Sequence, residues 1–387
     1  MLPRAALTAM PGLFDPLRVG AITLPNRILM APMTRGRAQA DGTPTPPMVE
    51  YYARRAEAGL LITEATATSP AGRGWCNAPS LYATPHVAAW RAVTAAVHGR
   101  GGRIFAQLWF VGRVSHPDFL EGDTPLAPSA IRPEQAAHTP TGTKPCVTPR
   151  EMTLDDIRSA VDDYASGARN AIAAGFDGVE VHAANGYLPD QFLRDGSNRR
   201  QDAYGGSIAH RVRFLAEVVE AIGGAIGRER VGVRLSPYNA YNDMRDSDPV
   251  ATFESAARML SGARIAFLEI MEGLPGHFLH VPGEPIMPRV RAAYEGVLVA
   301  NGGYDGVTAA RAIAAGAVDA VAFGIPFLSN PDFVERLRIG APLNAPDPAT
   351  FYSAGEPGYL DYPTLAEAGG RAVGDYRELS LDEAKRH

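Results

Sequence analysis

Short apolar runs alternate with amphipathic stretches along almost the whole chain. The runs fall at residues 27–33, 60–65, 103–109, 178–183, 231–237, 266–271, 297–303 and 320–324. Between them the apolar period changes to that of a helix. Ile157, Val161, Tyr164, Ala168 and Ile172 recur three or four residues apart, on one face. Thr153 and Asp156 open this stretch at capping-box spacing, and Gly175 stops it. Further helical stretches are predicted at 47–58, 85–99, 208–226, 249–261, 287–294, 306–315 and 331–338.

Eight strands, each followed by a helix, predict an α/β fold with a parallel sheet, and eight units favour a closed (β/α)8 TIM barrel over an open doubly wound sheet. No Gly-x-Gly-x-x-Gly follows the first strand, which weakens a dinucleotide-binding alternative. Residues 20–26 suit an N-terminal hairpin closing the barrel bottom. Residues 111–150, rich in Pro, Thr and Gly and without periodicity, form an excursion after strand 3 that is expected to cap the active-site mouth. The prediction is one domain over 1–387, with its core at about 26–340 and a C-terminal tail at 345–387.

Composition agrees with this outline. A chain of 387 residues would suggest two or three domains at ~150 residues each, but a barrel typically takes ~250 in one. The 40 glycines and 32 prolines exceed average usage of ~12% without reaching low complexity, so they punctuate a folded chain. With 46% apolar and 20% charged residues, disorder is excluded. A net charge of −5 with no basic block argues against nucleic acid or an anionic membrane as partner. No apolar run approaches the ~18 residues of a membrane span, and the run 5–10, closed by Pro11, is too short for a signal peptide. Two cysteines, Cys76 and Cys146, suit a reducing compartment, so a cytoplasmic location is expected.

In such a barrel the chemistry sits at the C-terminal ends of the strands. The loops after strands 7 and 8 carry Gly302, Gly303 and Gly324, where bare backbone N–H groups suit a phosphate, although ordinary strand-to-helix turns read the same way. After strand 4, His182, Asn185 and Tyr187 fall within six residues. Two donors aimed at one oxygen polarise a carbonyl, and a phenol is a general acid. The competing reading is a satisfied histidine and a helix-start asparagine. Arg234 ends an apolar strand, either as a fixed charge beside an electron-rich ligand or in a salt bridge with Glu269. Gln107 is an amide at a strand end, for ligand recognition or for strand-end satisfaction. No second histidine or carboxylate stands at ligand spacing, so no metal is expected.

These motifs resemble the Old Yellow Enzyme family of FMN-dependent ene-reductases. The resemblance spans about nine-tenths of the chain, from Gly12-Leu13-Phe14-Asp15-Pro16 to Tyr359-Leu360-Asp361-Tyr362-Pro363. It rests on Met30-Ala31-Pro32-Met33-Thr34-Arg35, Gln107-Leu108-Trp109, His182-Ala183-Ala184-Asn185-Gly186-Tyr187-Leu188, Asn198-Arg199-Arg200-Gln201-Asp202-Ala203-Tyr204-Gly205-Gly206-Ser207 and Asn330-Pro331-Asp332.

The resemblance implies tightly bound, non-covalent FMN, with its phosphate at Gly302, Gly303, Gly324 and the Ile325 turn. Pro32, Met33, Thr34, Ala65 and Gln107 would surround the isoalloxazine, and Arg234 would stand near N1 and O2. It implies a ping-pong cycle. NAD(P)H, with NADPH favoured, reduces FMN, and flavin N5 then delivers hydride to Cβ of an enone, enal or nitroalkene. His182 and Asn185 grip the substrate oxygen, and Tyr187 protonates Cα. Trp75, Trp109 and Tyr352 would line the pocket of a monomer or homodimer.

Departures from the family pattern are Phe110 in place of a histidine and Ile325 in place of an arginine on the phosphate, for which Arg289, Arg291 or Arg311 are candidate substitutes. Alternatives kept open are a flavin isomerase or nitroreductase on the same scaffold, and a non-flavin barrel acting as a binding protein or lyase.

Overall fold

In the computed structural model of the chain, which describes residues 11–277, 280–353 and 355–376, eight parallel strands close into a barrel. They are β1 (Ile28–Met30), β2 (Leu60–Ile62), β3 (Ile104–Trp109), β4 (Gly178–Ala183), β5 (Val231–Leu235), β6 (Phe267–Met271), β7 (Leu298–Asn301) and β8 (Ala320–Phe323). β8 pairs with β1 and closes the ring. Each strand is followed by a helix: α1 (Pro46–Ala53), α2 (Thr84–Gly99), α3 (Leu154–Ala173), α4 (Ile208–Ile226), α5 (Pro249–Ala263), α6 (Met287–Ala293), α7 (Gly306–Ala314) and α8 (Phe333–Ile339). The reciprocal cap at the start of α3 is present: Asp156 N–H donates to Thr153 Oγ1 at 3.1 Å, and Thr153 N–H donates to Asp156 Oδ2 at 2.7 Å.

The lower interior is apolar. Phe105 on β3 and Phe267 on β6 meet with ring centroids 5.8 Å apart. Room for them comes from Gly178 and Gly232 on the two intervening strands. A Cβ there would stand 2.4 Å from the Phe105 ring and 2.3 Å from the Phe267 ring, respectively. Leu29, Leu60, Ile62 and Val299 complete this cluster, together with Val19 and Leu24 from the N-terminal hairpin. That hairpin pairs Leu17–Val19 with Ile22–Leu24, so it begins before the predicted segment. Ala21 N–H donates to Glu229 O at 3.0 Å, which seats the hairpin under the strand starts. One inward position higher, the interior turns polar with Gln107, Glu180, Arg234 and Glu269, because alternate strand residues share a face.

The excursion lies over the opposite end, as its predicted capping role requires. Arg113 donates to the carbonyls of Asn242 and Asp243, and Gln135 Nε2 donates to Asn242 Oδ1 at 2.6 Å, all on the loop after β5. It also holds pairings that its sequence did not announce: a hairpin of Ala136–Thr139 with Gly142–Pro145, and Leu126–Ala127 alongside Arg150–Glu151.

The C-terminal segment crosses the same end. Arg35 donates to Phe351 O at 2.9 Å and Gly358 O at 2.7 Å, Arg37 donates to Thr350 O at 2.8 Å, and the Tyr51 and Tyr359 rings stack at 4.1 Å. Cys76 and Cys146 are free thiols. Among the described residues no helix is long and apolar enough to cross a membrane, and no cluster of His, Cys, Asp and Glu could hold a metal. The run 5–10 and the last residues of the tail lie outside the described residues.

Candidate active site

β4 delivers His182 to the mouth, directly opposite Arg234 in the β4–β5 register. The chain then turns sharply through Asn185 and Gly186, with φ of 58° and 77°. Three bonds fix this turn. Asn185 N–H donates to Ser236 Oγ at 2.7 Å, Asn242 Nδ2 donates to Asn185 O at 2.6 Å, and Gly186 N–H donates to Asp190 Oδ2 at 2.9 Å. Asn239 Nδ2 donates to Asn185 Oδ1 at 2.8 Å, which leaves the Asn185 amide nitrogen as its free donor end.

Tyr187 precedes a short helix, Leu188–Leu193, whose Asp190 forms a buried ion pair with Arg194 at 2.8 Å. Gln191 on that helix donates to Gly186 O at 2.7 Å and to Val111 O at 3.0 Å, tying the turn to the excursion. The turn thereby brings Tyr187 edge-on to His182 at 4.8 Å between centroids, and to Trp109 at 5.1 Å.

The electrostatics separate these groups. His182 is held well below its ordinary value by burial and then by Arg234, so the ring is neutral, with one donor and one acceptor nitrogen. Among the described residues, its buried Nδ1 has no hydrogen-bond partner. Burial raises the Tyr187 phenol, which therefore carries its proton at neutral pH.

Arg234 donates through Nη2 to Asn301 Oδ1 at 2.7 Å and approaches Glu269 Oε1 through Nε at 2.7 Å. The Nε–H is not aligned for a hydrogen bond, so the Glu269 contact is chiefly Coulombic. The salt-bridge reading of Arg234 therefore holds, with Glu269 as its partner, and the β5 end places the same side chain at the mouth. Gln107 turns its amide inward, donating through Nε2 to Glu180 Oε1 at 2.8 Å.

Around the rim, Pro32, Met33 and Thr34 follow β1, and Ala65 follows β2. Glu64, beside Ala65, accepts Arg35 N–H at 3.0 Å and Gly36 N–H at 3.3 Å, which anchors the loop after β1. Trp109, Ala65, Val111 and Val114 form one apolar cluster, with Trp75 and Tyr187 against it. Tyr352 reaches Trp75 at 5.5 Å from the C-terminal segment.

On the far side, Gly302 and Gly303 have φ of 126° and 80°, and a Cβ on Gly303 would meet the His277 Cβ at 2.8 Å. A Cβ on Gly324 would meet Met33 Sδ at 3.3 Å. Ile325 begins a five-residue helix and packs against the core. Of the proposed substitutes for the missing arginine, Arg291 is excluded: it pairs with Asp319 at 2.9 Å, at the strand starts. Arg289 faces Glu254 and Glu284 at 3.7 and 3.8 Å.

Sequence reasoning missed three groups. Glu180 was visible as the residue two before His182, on the same strand face. Asn239 and Asn242 carried no periodic signal, and His277 lies in an irregular loop.

A barrel whose polar mouth sets a guanidinium, a neutral imidazole and a phenol against a glycine cradle fits the flavin oxidoreductases. Residues 12–344 match the NADH:flavin oxidoreductase / NADH oxidase family, and the chain belongs to that family, the one that includes the Old Yellow Enzymes. It is 47% identical over 369 residues to a probable flavin mononucleotide-dependent alkene reductase of Leishmania infantum, covering 93% of this chain and 100% of the relative. The Old Yellow Enzyme homologue of Zymomonas mobilis superposes with a TM-score of 0.90 at 46% identity, over 92% of this chain and 100% of that one. Morphinone reductase in complex with tetrahydroNAD superposes at 0.87 with 44% identity, over 92% and 98%. This kinship does not favour the non-flavin readings.

The residues present fit FMN. Gly302 and Gly303 hold positive-φ turns that a Cβ would drive into the Glu272 backbone and His277, so their backbone N–H groups stay bare, and Arg234 brings a cation to the mouth, where an electron-rich ring needs one.

Proposed function

We propose that this mouth is the catalytic centre of an FMN-dependent ene-reductase and that the whole of 1–387 is one FMN-binding domain. The substrates are α,β-unsaturated carbonyl compounds, enals and nitroalkenes. The observation that carries the reading is a buried, neutral His182 at the mouth, opposite Arg234 and with Tyr187 edge-on at 4.8 Å. A neutral imidazole keeps one N–H, which a substrate oxygen can accept.

When bound, FMN supplies two-electron transfer from a nicotinamide to the β-carbon of the activated alkene. His182 and the free amide end of Asn185 hold the substrate oxygen and stabilise the negative charge that appears there. Tyr187 gives its proton to Cα and regains one from solvent; burial raises its pKa, so the phenol is protonated at neutral pH. Trp75, Trp109 and Tyr352 exclude water and shape the alkene pocket. Gly302, Gly303, Gly324 and the Ile325 turn would hold the phosphate with backbone N–H groups, Pro32, Met33, Thr34, Ala65 and Gln107 would border the flavin ring, and Arg234 would supply a positive charge to its electron-rich edge.

NADPH is the proposed physiological reductant. The nicotinamide analogue bound in the morphinone reductase structure supports the cofactor class. A cytoplasmic monomer or homodimer completes the reading.

The test is direct. Purified protein is yellow and takes up FMN, and it is reduced by NADPH and reoxidised by an enone. The reading fails if the protein takes up no FMN, or if it is reduced but no enone reoxidises it.

A further inference from the structure

Beneath the mouth, four strands turn polar groups into the barrel interior at one level. Gln107 on β3 donates to Glu180 on β4 at 2.8 Å, and Glu269 on β6 stands 2.7 Å from Arg234 Nε on β5. The two carboxyl groups lie within each other's electrostatic and hydrogen-bonding reach. Both glutamates are 0% exposed. Glu180 Oε2 and both Glu269 oxygens have no donor among the described residues. The other polar groups facing the pair are Arg234, His182 above it and Asn301, which accepts from Arg234.

Two carboxylates in contact in a dry interior, beside one guanidinium, repel each other at high cost. One proton between them removes the repulsion and joins two of the three unpartnered oxygens in a hydrogen bond. We propose that Glu180 and Glu269 share one proton and act as a single negative charge that balances Arg234, so that the pair sets how strongly Arg234 stabilises negative charge on the bound flavin. These glutamates are positioning residues that act through Arg234. Burial and then the Glu269 charge hold Glu180 well above the usual carboxylate range, and burial raises Glu269 as well. The inference rests on the FMN reading above.

Potentiometric titration of bound FMN in wild type, Glu180→Gln, Glu269→Gln and the double variant tests it. A shared charge survives either single change, because the remaining carboxyl carries it. Each single variant is therefore expected to change the reduced-over-oxidised affinity by less than threefold. The double variant removes the charge and is expected to favour the reduced flavin by tenfold or more, about 30 mV upward for a two-electron couple. A merely structural role predicts no such pattern. The proposal is overturned if each single variant gives half or more of the double's shift, or if the double keeps the wild-type potential.

Infrared spectra of wild-type apoprotein carrying ¹³C-glutamate give a readout that needs no flavin. A buried, protonated glutamate band at neutral pH that Glu180→Gln removes supports the pair, and its absence overturns it. Wild type that takes up no FMN yet shows this band fails the flavin reading alone.

Discussion

The two ends of the barrel are built from the same eight strands and finish in opposite chemistry. Where the strands begin, Phe105, Phe267, Val19 and Leu24 form a dry apolar floor sealed by the hairpin. Where they end, His182 Nδ1 and Trp109 Nε1 are buried without partners among the described residues, and the backbone bends through positive φ at Asn185, Gly302 and Gly303. Orphaned polar groups and a non-glycine residue at positive φ cost free energy, and such costs gather where a fold is built for a ligand and not for stability. The floor should therefore govern stability and the mouth should govern chemistry, and variants at each end test that division.

The largest effect is expected at Tyr187. Tyr187→Phe removes the proposed proton donor while keeping the ring against Trp109 and His182. Stopped-flow kinetics should show enone-driven reoxidation slowed by about 10²–10⁴-fold, with reduction by NADPH little changed. Next comes the floor. Phe267→Ala leaves a cavity beside Phe105, and denaturant unfolding should show a loss of about 3–5 kcal/mol, while turnover per bound flavin persists at low temperature. An equal collapse of turnover would break the division between the two ends.

A smaller change is expected at the cradle. Gly303→Ala places a Cβ at φ 80°, 2.8 Å from that of His277. Fluorescence titration should show FMN affinity weakened by about 1–3 kcal/mol, with the melting temperature of the apoprotein changed far less than by Phe267→Ala.

The smallest effect is on pH. Burial lowers His277 to about 4 from 6.5, so the unfolded chain binds this proton first as pH falls. Its contribution to stability is present above 6.5 and is lost as pH falls toward about 4. Melting curves of wild type and His277→Gln over that window should diverge by about 1 kcal/mol once partial solvent access is discounted.

The floor and the mouth also differed in how well the sequence revealed them. The apolar runs placed all eight strands, and α4 fell at Ile208–Ile226 as predicted, because burial and helical period are local signals. The strand-end rule and the family motifs brought His182, Asn185, Tyr187 and Arg234 to the same mouth. Contacts between distant segments stayed hidden. Asn242 clamps the Asn185 carbonyl from 57 residues away, and no periodicity encodes such a pairing. The hairpin was placed late because Gly20 lies at its turn and not at its start. Glu180 looked like an ordinary strand residue because its neighbour Glu269 lies two strands further on, on β6.

Arg35 and Arg37 pin the C-terminal segment across the mouth and so hold Tyr352 against Trp75. During synthesis, every group assigned to the flavin, the carbonyl and the proton leaves the ribosome before that segment does. The last wall of the pocket is therefore the last part of it to be synthesised.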